Sequence, residues 1–92
     1  MIHFHYHVAR ADTPRLGIRR GDRLCHVFSD RADLAAAAAE LRGWADARGL
    51  ARVRIQERGL RRQHMDLWGE ALTVCGRPAE RSTLRRWLRG GD

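Results

Sequence analysis

Five histidines and one aspartate carry the strongest chemical signal in this 92-residue chain. His3, His5 and His7 alternate with apolar residues, and alternate residues of a strand point to one face with Cα atoms about 6.5–7 Å apart. Neighbouring imidazoles at this spacing can converge on one metal ion with bonds of about 2.0–2.1 Å. An exposed polar face on an edge strand explains the same pattern, so the sequence leaves both interpretations open.

The other two histidines stand beside further reactive groups. His26 follows Cys25, and because neighbours on a strand face opposite sides, one of the two is expected in the core. His64 and Asp66 mark a predicted loop-to-helix junction, where the carboxylate caps the helix, fixes the imidazole tautomer or binds a metal. Zinc or another divalent transition metal is the ion that these groups favour. The candidate ligands are His3, His5, His7, His26, His64 and Asp66.

The charge of the chain suggests a second kind of partner. The net charge is +7, the pI is about 11.3, and every Lys or Arg position is Arg. Such a balance favours a polyanion such as nucleic acid, with Trp68 or Trp87 available to stack on bases. Codon bias explains a Lys-free composition equally well, in which case the arginines are solvated and the tryptophans belong to the core. The candidate nucleic-acid contacts are Arg58, Arg61, Arg62, Arg81, Arg85 and Arg86.

Length and composition indicate one small domain spanning residues 1–92. Its core is expected to be thin, so a metal ion or a homodimeric partner would contribute to stability. Two cysteines are too few for a disulfide framework, and the chain has no long apolar run, which predicts a cytoplasmic protein without a membrane partner. The usual phosphate-loop, nucleophile-elbow and His-Glu-x-x-His signatures are absent.

The apolar periodicity predicts an α+β fold. We expect a small three-stranded mixed sheet that contains a βαβ unit, followed by two further C-terminal helices. The helix after the second strand is expected to be capped by Ser29 or Asp30. The predicted strands are 2–8, 23–28 and 52–56, and the predicted helices are 31–48, 64–75 and 79–89, ahead of a Gly90-Gly91-Asp92 tail.

Two short motifs resemble a known family. They are Cys25-His26-Val27-Phe28-Ser29-Asp30 and His64-Met65-Asp66-Leu67, which are followed by Ala71-Leu72 and Cys75-Gly76. Over residues 23–76 this pattern is similar to domain of unknown function 4031, a family of short bacterial and phage proteins. The resemblance singles out Cys25, His26, His64 and Asp66 and implies no activity.

The chain departs from that family pattern at two places. His5, Tyr6 and His7 stand near the family's acidic pair, and Met65 replaces its usual aromatic residue. If the acidic pair is a ligand set, exchanging Asp for His keeps metal-binding capacity and shifts the preference toward softer metals.

The sequence therefore predicts a small metal-binding domain that uses a His/Asp site. Hydrolysis of a nucleic-acid phosphodiester by metal-activated water is the reaction to test. The alternatives are a non-catalytic, Arg-rich nucleic-acid-binding module and an accessory protein that uses its basic C-terminal helix on an acidic partner.

Overall fold

The computed structural model describes residues 1–89, so the predicted Gly90-Gly91-Asp92 tail lies outside the described residues. Short 3₁₀ helices occupy Pro14–Leu16 and Gly69–Val74. No helix within residues 1–89 is long and apolar enough to cross a membrane. The strands are β1 (Ile2–Val8), β2 (Arg23–Ser29) and β3 (Met65–Trp68), and the α-helices are α1 (Leu34–Asp46) and α2 (Arg81–Leu88).

The three strands form one antiparallel sheet in the order β1-β2-β3. The α+β class and the first two strands agree with the prediction. The register places His5 opposite His26 and His26 opposite Asp66, so these three residues form one row across the sheet. Positions that are far apart in the sequence thus become direct neighbours.

The predicted mixed sheet with a βαβ unit is wrong, because β2 and β3 run antiparallel. Residues 52–56 form no strand, and only Gln56 makes an isolated bridge, to His64. The segment predicted as a helix over 64–75 is instead β3 followed by a 3₁₀ helix. Met65 and Leu67 are buried while Asp66 and Trp68 are half-buried, which is the period-two pattern of a strand.

Helix α1 packs on one side of the sheet. Asp33, rather than Ser29 or Asp30, caps the helix by accepting a hydrogen bond from the backbone N–H of Ala36 (3.0 Å). The helix therefore begins three residues later than expected. Its buried side chains are Ala37, Ala38, Leu41 and Ala45.

The side of the sheet that α1 covers is called the core face. It holds Cys25 and Val27 of β2 with Met65 and Leu67 of β3, all almost fully buried. Burial of Cys25 agrees with the prediction that one of Cys25 and His26 lies in the core. Apolar residues of β1 complete the core face: Ile2, Phe4 and Tyr6.

Helix α2 lies over the opposite side of the sheet. It is shorter than the predicted 79–89, and its only buried residue is Trp87. The indole of Trp87 stacks on Phe28 with ring centroids 4.3 Å apart and planes 12° from parallel. This aromatic pair is the anchor that holds α2 on the sheet.

Candidate metal centre

The strand alternation that buries the core face turns the ionisable residues to the other side. This second side, the histidine face, carries His3, His5 and His7 of β1 with His26 of β2 and Asp66 of β3. It is formed because alternate residues of the two strands pack in the core, namely Ile2, Phe4 and Tyr6 of β1 and Cys25 and Val27 of β2. The core therefore fixes which side chains meet on the histidine face.

The imidazole rings of this face form one contiguous cluster. The ring centroids of His7 and His26 lie 4.2 Å apart, and His5 lies 5.6 Å from His26. His64 joins from the residue before β3, with its ring centroid 4.5 Å from that of His26. His26 is thus the centre of the cluster.

Asp66 binds two of these histidines through one carboxylate oxygen. Its Oδ1 lies 2.9 Å from His26 Nε2 and 3.5 Å from His64 Nε2. Burial opposes the charged carboxylate, but hydrogen bonds from His26 and His64 outweigh it and lower the pKa of Asp66 far below its ordinary value. The carboxylate is therefore ionised at neutral pH and available as a ligand.

The hydrogen bonds of His64 determine which ring nitrogen is free. Its Nδ1 lies 2.8 Å from the carbonyl oxygen of Arg62, and because a carbonyl only accepts, Nδ1 carries the proton. In the neutral ring Nε2 is then a lone pair that faces Asp66. Burial disfavours the imidazolium, yet the hydrogen bonds to Asp66 and the Arg62 carbonyl raise the pKa of His64. Asp66 therefore favours a proton on Nε2 of His64.

Three ring nitrogens of the cluster lack any such partner. His26 donates from Nε2 to Asp66, which leaves a lone pair on its Nδ1. His26 Nδ1, His7 Nε2 and His5 Nδ1 are buried and have no hydrogen-bond partner within residues 1–89. Buried polar atoms are nearly always hydrogen-bonded, so orphaned nitrogens of this kind call for an explanation.

The environment keeps two of these rings neutral. Burial, followed by the proximity of His26, lowers the pKa of both His5 and His7. A neutral imidazole is the form that binds a metal. His5 and His7 therefore offer lone pairs at neutral pH without the cost of removing protons.

His7, His26 and Asp66 together satisfy the distance requirement for one ion. Each offers one ligand atom, and these atoms lie within 4.8 Å of one another. In a tetrahedral zinc site, bonds of about 2.0–2.1 Å place the ligand atoms about 3.4 Å apart. The three ligand atoms would therefore have to move closer together to bind a zinc ion.

The candidate metal centre is open to solvent on one side. A groove of about 680 Å³ runs over the end of the histidine face near Val8, and its walls include His5, His7, His26 and Arg10. A ligand or water molecule can reach His7 and His26 through this groove.

Not every predicted ligand joins the cluster. His3 lies on the same face but binds Asp30, with 2.8 Å between Nε2 and Oδ2, and it stacks on Phe28. Asp66 lies within β3, so the prediction that it begins a helix is wrong. Arg10, which lines the groove, was not singled out because it belongs to a loop without a chemical pattern.

The predicted nucleic-acid residues are all exposed. Only Arg61 and Arg86 of the six line the same cavity. Trp87 is buried against Phe28 and is not available to stack on a base, which agrees with the alternative that the tryptophans belong to the core. Trp68 is half-buried and donates from Nε1 to the carbonyl oxygen of Leu16 (3.1 Å).

The chain matches no protein-family model, no curated protein and no solved structure. The resemblance to domain of unknown function 4031 stays a prediction, and the properties of the site rest on its own geometry.

Proposed function

We propose that this protein binds a divalent transition metal ion, with zinc as the best fit, through His7, His26 and Asp66. The observation that carries the proposal is the coincidence of two features at one place. Three ligand atoms lie within 4.8 Å of one another, and two of the same residues present buried ring nitrogens without a partner. A bound ion would give the buried Nε2 of His7 a partner, while His26 would bind the ion through the Nε2 that now donates to Asp66.

The composition of this ligand set selects the class of metal. Imidazole nitrogens suit zinc, copper, iron and nickel, whereas magnesium and calcium prefer sites made of oxygen ligands. Two histidines and one carboxylate also leave a coordination position for water, as in catalytic zinc sites. His64 lies beside Asp66 and is available to orient that carboxylate or to complete the coordination.

We propose hydrolysis of a nucleic-acid phosphodiester as the reaction of this centre. A metal-bound water becomes a strong nucleophile near neutral pH, and the open groove admits a substrate. Arg10 lines that groove and supplies a positive charge for the phosphate.

The family resemblance is a further part of the proposal. Its two motifs contribute His26, His64 and Asp66, whose side chains meet in one cluster. A shared metal centre accounts for the presence of both motifs in one chain.

The test is metal content and zinc affinity, measured on purified protein by elemental analysis and calorimetry. We expect about one zinc per wild-type chain. Loss of an outer-shell partner typically lowers metal affinity about 10–100-fold. His7→Ala removes a direct ligand, so we expect its zinc affinity to fall by at least this much. His3→Ala is the matched control, because His3 lies on the same strand and face but binds Asp30, so its zinc affinity is expected to stay unchanged.

The reaction is tested separately with an oligonucleotide substrate in zinc and in manganese. We expect cleavage that His7→Ala abolishes and His3→Ala preserves. Failure of the wild type to bind any divalent transition metal would overturn the metal centre. Metal binding without cleavage would overturn the hydrolytic role and favour a structural metal in a nucleic-acid-binding or accessory protein.

A further inference from the structure

We propose that a cavity beside α2 binds the phosphate group of a nucleotide-sized phosphate ester. This cavity, called the arginine cavity, lies between α2 and the segment that leads from β2 into α1, and it measures about 690 Å³. The polar residues that carry the proposal are Arg31, Arg61, Ser82, Thr83, Arg86 and Arg89.

The arginine cavity and the groove at the candidate metal centre occupy different ends of the histidine face. Phe28 and Trp87 line the arginine cavity, whereas His7 and Leu24 line the groove. Trp87 is buried between them, with its ring centroid 6.0 Å from that of His26. The cavity is therefore a site of its own, and its proposed ligand does not depend on the metal.

The charges around the arginine cavity favour an anion. Asp30 is the acidic residue among its walls, and its carboxylate is bound by the Met1 ammonium and by His3, each at 2.8 Å. Arg31 in turn pairs with Glu40 at 3.0 Å. Arg86 on α2 and Arg89 directly after it are both exposed, and they leave the cavity with an excess of positive charge.

The donor chemistry selects phosphate among anions. Guanidinium groups bind phosphate oxygens through paired N–H donors, and the nearby hydroxyls of Ser82 and Thr83 add single donors. Pockets of about 300–1,000 Å³ typically hold ligands larger than a bare phosphate ion. The volume therefore points to an ester whose organic part also lies in the cavity.

The test is binding of adenosine monophosphate to the full chain in chelator and low salt, measured by calorimetry. We expect adenosine monophosphate to bind, inorganic phosphate to bind more weakly and adenosine not to bind. Arg86→Gln and Arg89→Gln are each expected to lower the affinity about tenfold, the effect of one lost charged hydrogen bond. Arg85→Gln is the matched control, since Arg85 is exposed on the same helix but does not line the cavity.

Several outcomes would overturn the proposal. Absence of binding at low salt would remove the site, and equal losses in Arg85→Gln and Arg86→Gln would show only general attraction to a basic protein. Equal affinity for inorganic phosphate would mean that the cavity binds the free phosphate ion rather than a phosphate ester. Because chelator removes metal throughout, none of these results depends on the metal centre.

Discussion

The two faces of one small sheet differ in how completely their groups are satisfied. On the core face, Cys25, Val27, Met65 and Leu67 are almost fully buried against α1, as expected of a closed apolar core. On the histidine face, three buried ring nitrogens have no partner within residues 1–89. The core face accounts for the fold, whereas the histidine face holds polar groups that the fold alone does not need.

This difference teaches how the core can position a site. A slip of one residue in a strand exchanges its two faces, so the apolar residues that pack on α1 also fix the register. Once that register is fixed, His5, His26 and Asp66 stand in one row. The candidate metal centre is a consequence of packing on the opposite side of the same strands.

The largest expected contrast between the faces is in stability. Leu67→Ala removes a buried side chain of the core face and is expected to cost about 2–5 kcal/mol. His5→Ala removes a ring with an unpartnered nitrogen, so the loss of packing is offset, and we expect a change below about 1 kcal/mol. Urea unfolding of the metal-free protein measures both variants. A cost for His5→Ala as large as that for Leu67→Ala would make the histidine face a second structural core.

Sequence reasoning predicts the two faces of β1 because apolar residues and histidines alternate over its seven residues. It fails at β3, which has only four residues. An apolar run this short fits a helix or a strand, and the choice depends on pairing with β2. The contact between His26 and Asp66 follows from that pairing, so the ligand types were predictable but their grouping was not.

The next contrast concerns the carboxylate of Asp66, which binds both His26 and His64. Asp66→Asn keeps the shape of the side chain but removes its charge. We expect zinc affinity to fall about 10–100-fold or more, because Asp66 acts as a ligand or holds His26 in the binding tautomer. The same substitution should lower the pKa of His64, which now gains from this carboxylate. Calorimetry and NMR titration of the imidazole protons measure the two effects.

The matched control is Asp30→Asn, at a carboxylate directly after β2 that binds His3 outside the cluster. We expect its zinc affinity to equal that of the wild type. Equal losses in the two variants would mean that zinc responds to the total charge of the protein rather than to this ligand set.

The smallest expected effect lies at the end of β2, in a polar network around Glu40. Its carboxylate binds the Met1 ammonium at 2.8 Å, the Ser29 hydroxyl at 2.7 Å and Arg31 at 3.0 Å. The hydrogen bond from the ammonium, followed by that from Ser29, lowers the pKa of Glu40 to about 2. This network joins the N-terminal residue to α1 and is independent of both the core and the histidine cluster.

The sign of the pH effect follows from that lowered pKa. Stabilisation by Glu40 is present above its ordinary pKa of 4.5 and is lost as the pH falls from 4.5 to about 2. Because the ammonium is largely exposed, solvent screening reduces the contribution to about 1 kcal/mol. Glu40→Gln should therefore lower the free energy of unfolding by about this amount at pH 7 and by almost nothing near pH 2, in urea titrations at both values. The exposed Glu70→Gln is the control, and an equal loss there would trace the acid sensitivity to net charge rather than to this network.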